Sequence, residues 1–450
     1  MNMQNSTHTL DVGEKEIFDL IGIGIGPFNL GLAALLSSID THKSVFFDTK
    51  HEFSWHEGLL LEDCYLQVPF FADLVTMSDP TSPYSFLNYL HTYGRLYQFS
   101  FYETFHIPRN EYNRYCRWVA NRLQSLQFGH EVVDVSESDG VYCVTVRNVA
   151  IDRITQHYTR NVVLGVGTNP TVPHALKHHL NDRDFIHTAS YKFAKSELQK
   201  KRSITVIGSG QSAAECFLDL LPDQLTFDYE LNWLTRSRGF LSLEYSKLVL
   251  EHFSPDYIEY FYGLSESRRQ SLLAAQGNSY KGISSSTIKE IYDCLYIRSI
   301  DAAPKVVIQA RSELTAAHAE KNSWKLDFHH IDLDRPFQLS TEAVVLGSGY
   351  NCTLPQCLNG ILHLIEFDSA RKPLVSRDYT LQTRIEGSGD IFVQNGEMHT
   401  HGISAPDLGL GRYRNSVIIN RLLGYDRYPT STKTVFQTYG IAPHWQSDVN

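Results

Sequence analysis

Two glycine-rich turns carry chemistry that can be read directly from residue type and spacing. The first, Gly22-Ile23-Gly24-Ile25-Gly26-Pro27, follows the apolar run Phe18-Asp19-Leu20-Ile21 and leads into a segment rich in Leu and Ala from Leu30 to Ile39. Strand, tight turn and helix in that order let backbone approach a pyrophosphate and aim free N–H groups at it. Pro27 suits the first helical turn, where its missing N–H costs nothing. The next strand, Ser44 to Phe47, ends in Asp48, about where an acid takes a ribose hydroxyl, roughly 20 residues past the glycines. One departure stands out: the last glycine comes one place early, giving GxGxGP where GxGxxG is expected. The second turn, Gly208-Ser209-Gly210-Gln211-Ser212-Ala213, fits GxGxxA after the buried-strand run Ser203 to Ile207. Its following strand, Leu231 to Thr235, ends in Arg236-Ser237-Arg238 instead of an acid. Guanidinium groups suit the 2′-phosphate of NADP, whereas a carboxylate would select the 2′-hydroxyl of NAD; solvated arginines are the alternative.

Two dinucleotide sites in one chain imply electron transfer between two cofactors, with flavin in the N-terminal site and nicotinamide in the second. No GxSxG elbow supports a hydrolase, and Ser209 lies inside a phosphate turn. The seven cysteines form no CxxC pair, which disfavours disulfide reduction and a metal centre and points to a reduced, cytoplasmic setting. His399 with His401, and His329 with His330, lack a third donor at metal-ligand spacing. A flavoprotein reductase or a flavin monooxygenase remains.

The elements that must position these turns follow from length and pattern. At 450 residues the chain accommodates two or three domains, and a net charge of −10 argues against a nucleic-acid surface. The early residues show no signal peptide, and the apolar stretch Leu20 to Ile39 is too broken by glycines, Pro27 and Asn29 to read as a membrane span. His51 to Tyr93 is dense in aromatic residues and proline and too irregular for long helices, so it should wrap or flank a site. Helical spacing over Glu111 to Leu126 puts Tyr115, Val119, Leu123 and Leu126 on one face. Short strands at 132–135, 142–146 and 161–164 suggest a parallel sheet being extended. Residues 240–300 read as mainly helical. Ala343 to Leu346 runs into Gly347-Ser348-Gly349-Tyr350, a strand-to-glycine turn like Leu164 to Gly167, and suggests that the first domain resumes there. The expected fold is α/β: two Rossmann-like dinucleotide-binding domains, the second inserted into the first, with a small helical substrate region. The expected parts are 1–190 and 339–450 for the first domain, the latter with a C-terminal helix over 408–423, and 191–338 for the second, with the helical region about 240–300.

Taken together, GIGIGPFNL from Gly22, Phe53-Ser54-Trp55-His56, Leu66-Gln67, Asp73-Leu74-Val75, Pro80 to Phe86, the second turn, Gly347 to Tyr350 and Thr400-His401-Gly402 resemble the N-hydroxylating flavin monooxygenases of siderophore biosynthesis. That group contains lysine, ornithine and diamine N-monooxygenases, and its motifs occur in order over nearly the whole chain. The resemblance implies FAD in the first site, NADPH in the second, and dioxygen as cosubstrate. It also implies a C4a-hydroperoxyflavin that gives one oxygen to a primary amine, and a homo-oligomer, tetramer or dimer. Carried over by motif, Gln67 is a flavin-side positioning residue. Trp55, His56, Gly349, Tyr350, His401 and Gly402 join the two glycine turns, Asp48, Arg236 and Arg238 as cofactor contacts.

Substrate choice rests on a departure from that family. Its amino-acid hydroxylases hold the substrate carboxylate with the lysine of a Phe-Leu-Lys-Asp-Leu segment, and this chain reads Phe70-Phe71-Ala72-Asp73-Leu74. Ala72 cannot pair with a carboxylate, and burying one unpaired costs roughly several kcal/mol. Where ornithine enzymes have an asparagine and a serine, Leu250 and Gly409 stand, and Ser279 aligns with a further contact. The expected substrate is an aliphatic diamine, putrescine or cadaverine, whose far ammonium could be accepted by Asp73, Asp407 or Glu397. Lysine, ornithine and histamine are the rival amines. A flavin-binding regulatory or assembly subunit without turnover is the rival of another class.

Overall fold

The computed structural model describes residues 16–445, apart from 181, 183, 385, 386 and 432. Two sheets dominate. In the first, Ile17–Ile23 lies between the parallel strands Ser44–Asp48 and Arg153–Leu164, with Leu126–Phe128 beyond Ser44–Asp48. Ile391–Val393, from far along the chain, pairs in parallel with Arg153–Leu164. Strands that are apolar at every position bury both faces of a parallel sheet. Leu20, Phe46, Val163 and Phe392 accordingly join the core beneath helix Pro27–Leu36, while Ile21, Ile23, Val45, Phe47 and Val162 join a second core on the opposite face.

The second sheet is wholly parallel and orders its strands Val306–Gln309, Glu230–Leu234, Ser203–Ile207, Ala343–Leu346 and Phe185–His187. It divides between two cores in the same way, Ile204 and Val206 packing under helix Gln211–Leu220 and Ile207 and Val344 on the far side. A three-stranded antiparallel sheet, Ser312–Ala319, Trp324–His330 and Arg335–Thr341, adjoins it. Helices Lys247–Leu250, Pro255–Tyr262, Glu266–Ala275, Gly277–Tyr280 and Ser285–Ser299 make up the helical region. The chain passes between the large sheets twice, and the two passages pair as a ribbon, Asn169–Pro170 against Tyr350–Asn351.

Three sequence expectations change. His130–Ser138, Val141–Asn148 and Arg153–Leu164 form an antiparallel meander, so the first sheet is mixed and not a purely parallel extension. The helix expected to reach Leu126 stops at Ala120, and Leu126 opens an edge strand, with Leu123 buried in the turn between them. Ala343–Leu346, read as the resumption of the first domain near 339, is a central strand of the second sheet, and Phe185–His187 inside the expected first segment is its edge. The reason is an internal likeness. Gly24, at φ +85°, lies so close to the end of Arg153–Leu164 that a Cβ would stand 2.6 Å from the Gly165 carbonyl; Gly208, at φ +139°, bears the same relation to Ala343–Leu346, with 2.3 Å to the Gly347 carbonyl. Each glycine turn closes against the glycine that ends its neighbouring strand, a conformation and an approach that only glycine permits. The similar turns at 164–167 and 346–349 are therefore equivalent positions in two units.

Candidate active site

The first turn leaves its helix open to an anion. Gly26 caps Pro27–Leu36 in extended conformation with no side-chain acceptor for the first-turn N–H groups. A Cβ on Gly22 would fall 1.9 Å from the Phe46 ring, so this position is closed by packing from below. Asp48 braces the turn: one carboxylate oxygen accepts from the Ile25 N–H (2.7 Å), the other from the Lys50 N–H (2.9 Å). Behind the turn, Asn29 donates to the Gly24 carbonyl (2.8 Å) and accepts from Gln394 (2.7 Å), whose amide oxygen accepts from Arg414 (3.4 Å). Arg414 is buried against Glu397 and lies over the Phe28 ring, 4.5 Å from its centroid.

Around the mouth of this cradle, the Trp55 N–H donates to Asn113 (3.0 Å) and its ring meets Tyr112 and His56 edge-on. His56 takes a left-handed conformation (φ +51°), and its ring faces Tyr350, 6.4 Å away. Gly349 has positive φ (+86°) and open space where a Cβ would be. Gln67 presents a buried amide nitrogen without a partner, and the Tyr350 hydroxyl is likewise buried and unpartnered. Unsatisfied buried donors are rare in folded proteins, so these atoms mark where a polar ligand belongs. Flavin, with carbonyl and ring-nitrogen acceptors, fits that demand.

The residues expected to meet substrate make a small and acidic wall. Ala72 is buried, and a Cβ on Gly409 would lie 4.0 Å from the Ala72 methyl and 2.7 Å from an Asp407 carboxylate oxygen. The same Asp407 oxygen accepts from the Leu410 N–H (3.0 Å); burial raises its carboxyl above the ordinary carboxylate range. Tyr245 stands close enough for Asp407 to raise its phenol, after burial, to about 12, and its hydroxyl donates to the Gln67 carbonyl (2.9 Å). Ala72, Gly409, Asp407, Tyr245 and Gln67 thus form one constellation. Leu250 ends the short helix that begins two residues after Tyr245, and Ser279 lies in Gly277–Tyr280, whose Asn278 carbonyl accepts from the Glu244 N–H (3.2 Å). Both stand on the helical region and are partly buried.

Two of the three acids expected to hold an ammonium are spent on the fold. Asp73 accepts from the backbone N–H groups of Val75, Thr76 and Phe86 and from the Thr76 hydroxyl. Glu397 is paired with Arg414 and accepts from the Gly396 N–H. Asp407 accepts from the backbone N–H groups of Leu410 and Gly409.

The second turn repeats the first, Gly210 capping Gln211–Leu220 without a side-chain acceptor. Ala213 is fully buried, and a Cβ on Gly347 would come within 2.8 Å of its methyl, which explains the small residue at that place. Ser212 lies partly buried on the first turn. Arg236 is 3.8 Å from Glu313, and Arg238 is exposed with no partner among the described residues. Gln211, expected to contact cofactor, uses its side chain within the protein: it donates to Glu215 (2.8 Å) and Thr287 (3.0 Å) and accepts from the Ser284 N–H (2.7 Å). Its backbone remains at the open helix end.

His401 does not offer its side chain to a cofactor. It is 1 % exposed, its ring nitrogens face the Thr400 hydroxyl (2.8 Å) and the Arg377 carbonyl (3.3 Å), and its ring stacks on Tyr379. Burial holds it neutral, down to about 3. Gly402 follows with positive φ (+81°), where a Cβ would meet the Phe261 ring at 3.2 Å. Among the described residues no three His, Cys, Asp or Glu gather into a metal site. Sequence reading missed Tyr245, Arg109, Glu215 and Arg414; buried polar residues whose partners lie tens to hundreds of positions away leave no local signal.

Residues 16–352 match the family described as L-lysine 6-monooxygenase/L-ornithine 5-monooxygenase. The chain is 46% identical to a putrescine N-hydroxylase of Shewanella oneidensis over 95% of this chain and 85% of that one. It is 35% identical to an L-lysine N6-monooxygenase of Escherichia coli over 93% and 97%. Among solved structures it resembles the FAD-bound cadaverine monooxygenase of the desferrioxamine pathway of Erwinia amylovora, with a TM-score of 0.91 and 42% identity over 95% of this chain and 99% of that one.

Proposed function

The chain belongs to the L-lysine 6-monooxygenase/L-ornithine 5-monooxygenase family, and from that premise we propose that it uses FAD and NADPH to hydroxylate one primary amine of an aliphatic diamine, putrescine or cadaverine, in hydroxamate siderophore biosynthesis. FAD belongs to the unit built on the first sheet and NADPH to the unit built on the second. The domain borders then move from 190 and 339 to the passages at 165–184 and 347–390. Bound FAD, reduced by NADPH, activates dioxygen and supplies the oxygen atom that the amine receives.

Each residue has a part that its surroundings support. The open helix ends at Gly26 and Gly210 take the two pyrophosphates, Asp48 takes a ribose hydroxyl with its remaining lone pairs, and Arg238 takes the 2′-phosphate of NADPH. Gln67 donates to the flavin edge, its backbone held by Tyr245. The reacting amine must be neutral to offer its lone pair, although a free alkylamine is mostly protonated near neutrality. Ala72 and Gly409 lie beside Asp407, at the end where Asp407 receives the distal ammonium, and the amine that reacts is the one at the other end.

The observation that carries the substrate reading is Ala72. It is a buried methyl beside Gly409 and the Asp407 carboxylate, so no side chain at this position pairs an α-carboxylate, and the buried Arg412 guanidinium nearby is turned to the Ala72 carbonyl. Its similarity to a putrescine N-hydroxylase and to a cadaverine monooxygenase is in accord with it. The test is amine-dependent NADPH oxidation scored by hydroxylamine formation with putrescine, cadaverine, L-ornithine, L-lysine and histamine. The diamines should have the highest kcat/KM, and a higher value for either amino acid overturns the assignment. The same reading makes the protein a cytoplasmic homo-oligomer, tetramer or dimer. All seven cysteines are free, and among the described residues no helix is long and apolar enough to cross a membrane.

A further inference from the structure

The two nucleotide units are tied by one buried carboxylate. Glu215, 4 % exposed at its side chain, lies on the helix that the second glycine turn opens. It accepts a two-pronged pair from Arg109 (2.8 and 2.5 Å), the first residue of helix Arg109–Ala120, whose Tyr112, Tyr115 and Val119 share a core with Leu30 and Leu32 of the first unit's helix. The oxygen nearer Gln211 also accepts from that residue's amide, and Gln211 in turn accepts from the Ser284 N–H and donates to Thr287 at the start of Ser285–Ser299. Arg109 donates further, at 3.5 Å, to the Leu59 carbonyl. One relay therefore joins the first unit, the phosphate-turn helix of the second and the helical region.

We infer that Glu215 is a positioning residue that fixes the phosphate-turn helix of the second unit relative to the first, and so sets how closely the two bound nucleotides approach. The inference rests on the assignment of FAD and NADPH to the two units. A bidentate guanidinium–carboxylate pair fixes orientation as well as distance, which a single contact would not. Buried ion pairs are poor stabilisers but good at specifying one arrangement, because an alternative would leave a charge unpaired. The demand is steep: a misplacement of about 1 Å between reacting groups can cost on the order of 100-fold in rate.

Glu215→Gln tests this in the FAD-loaded enzyme. Both carboxylate oxygens accept from donors, so the amide of glutamine must turn an NH2 toward Arg109 or Gln211 whichever way it lies. Arg109→Lys leaves Glu215 and Gln211 in place and replaces the two-pronged contact by a single one, which decides the matter should the first variant fail to fold. In each variant, anaerobic flavin reduction at saturating NADPH should slow at least tenfold, while reduction by dithionite and FAD content stay as in the parent. Without nucleotide, hydrogen exchange should rise over 281–288 and stay unchanged over helix Pro27–Leu36. A loss smaller than tenfold, or unchanged exchange over 281–288, overturns the inference. A parent enzyme that NADPH does not reduce would instead sink the cofactor assignment, and the exchange result alone would then judge the relay.

Discussion

Asp407→Asn tests the proposal that Asp407 distinguishes a diamine from any other amine. The substitution keeps the oxygen that accepts from the Leu410 N–H (3.0 Å), so the turn before helix Gly411–Leu423 retains its hydrogen bond and only the charge goes. A hydrogen bond to a charged group contributes roughly 1.5–3 kcal/mol, which at about 1.36 kcal/mol per factor of ten becomes about a 10- to 150-fold loss in kcat/KM. That loss should fall on putrescine and cadaverine and spare n-butylamine and n-pentylamine, which offer the same reacting amine and no distal ammonium. The assay is NADPH oxidation with hydroxylamine scored separately, so that uncoupled turnover is not counted as product. Because burial raises the Asp407 carboxyl, the anion disappears as pH falls through that raised value. Diamine kcat/KM should decline on the acid side in the parent and lose that limb in the variant. A variant that lowers monoamine and diamine efficiency by the same factor, or the diamine by less than about fivefold, would refute the assignment of Asp407.

Further outcomes follow from the same geometry. Arg238→Ala removes an exposed guanidinium with no protein partner, so the KM for NADPH should rise about tenfold or more, the scale of one charge-assisted bond, and that for NADH stay level; equal changes for both would show the arginine to be merely solvated. Glu397→Gln leaves Arg414 buried without its counter-charge, a loss of about 3–5 kcal/mol read as a lower urea midpoint and weaker FAD retention. His401 and His187 are buried and held neutral, down to about 3 and about 4 by loss of water around their rings, whereas an unfolded histidine titrates near 6.5. The unfolded state therefore takes up protons first. Stability is full above about pH 6.5 and falls as pH drops toward the folded values, by roughly 2 kcal/mol at pH 5 for His401 alone. Melting temperatures at pH 7 and 5 check it, and His401→Gln should flatten the difference.

What the sequence disclosed and what it hid divide along a physical line. Gly24 and Gly208 were legible because a strand, a sharp turn and a helix N-terminus impose a local pattern, and because positive φ excludes other residues. The exposed place of Arg238 was legible because it comes soon after the strand Glu230–Leu234 ends. The meander of His130–Ser138 and Val141–Asn148 was read as a parallel extension because short apolar runs do not reveal strand direction. His401 was expected to touch cofactor on motif alone, and its place between Tyr379 and the Arg377 carbonyl depends on chain 22 to 24 residues away. Arg109 and Glu215, 106 residues apart, could be joined only by the fold.

The proposal that Asp407 holds the ammonium rests on removal. From sequence, Asp73, Glu397 and Asp407 were the candidates, with a structural role the equal alternative for Asp73. Coordination separates them: Asp73 is filled by four donors from its own turn and from Phe86, and Glu397 is consumed by Arg414 and Gly396. A buried acid with its donors already supplied gains nothing from a ligand, whereas one with an open oxygen can lower its desolvation cost by meeting a cation. Asp407, which accepts from two backbone N–H groups, is the acid we propose for the ligand, and the bare Gly409 beside it leaves room, since a Cβ there would stand 2.7 Å from the carboxylate. On the proposed reading, selection for a diamine comes from two absences and one acid. The lysine head missing at Ala72 removes the carboxylate's partner, the side chain missing at Gly409 frees the acid, and the acid then favours a second ammonium over the zwitterion of an amino acid.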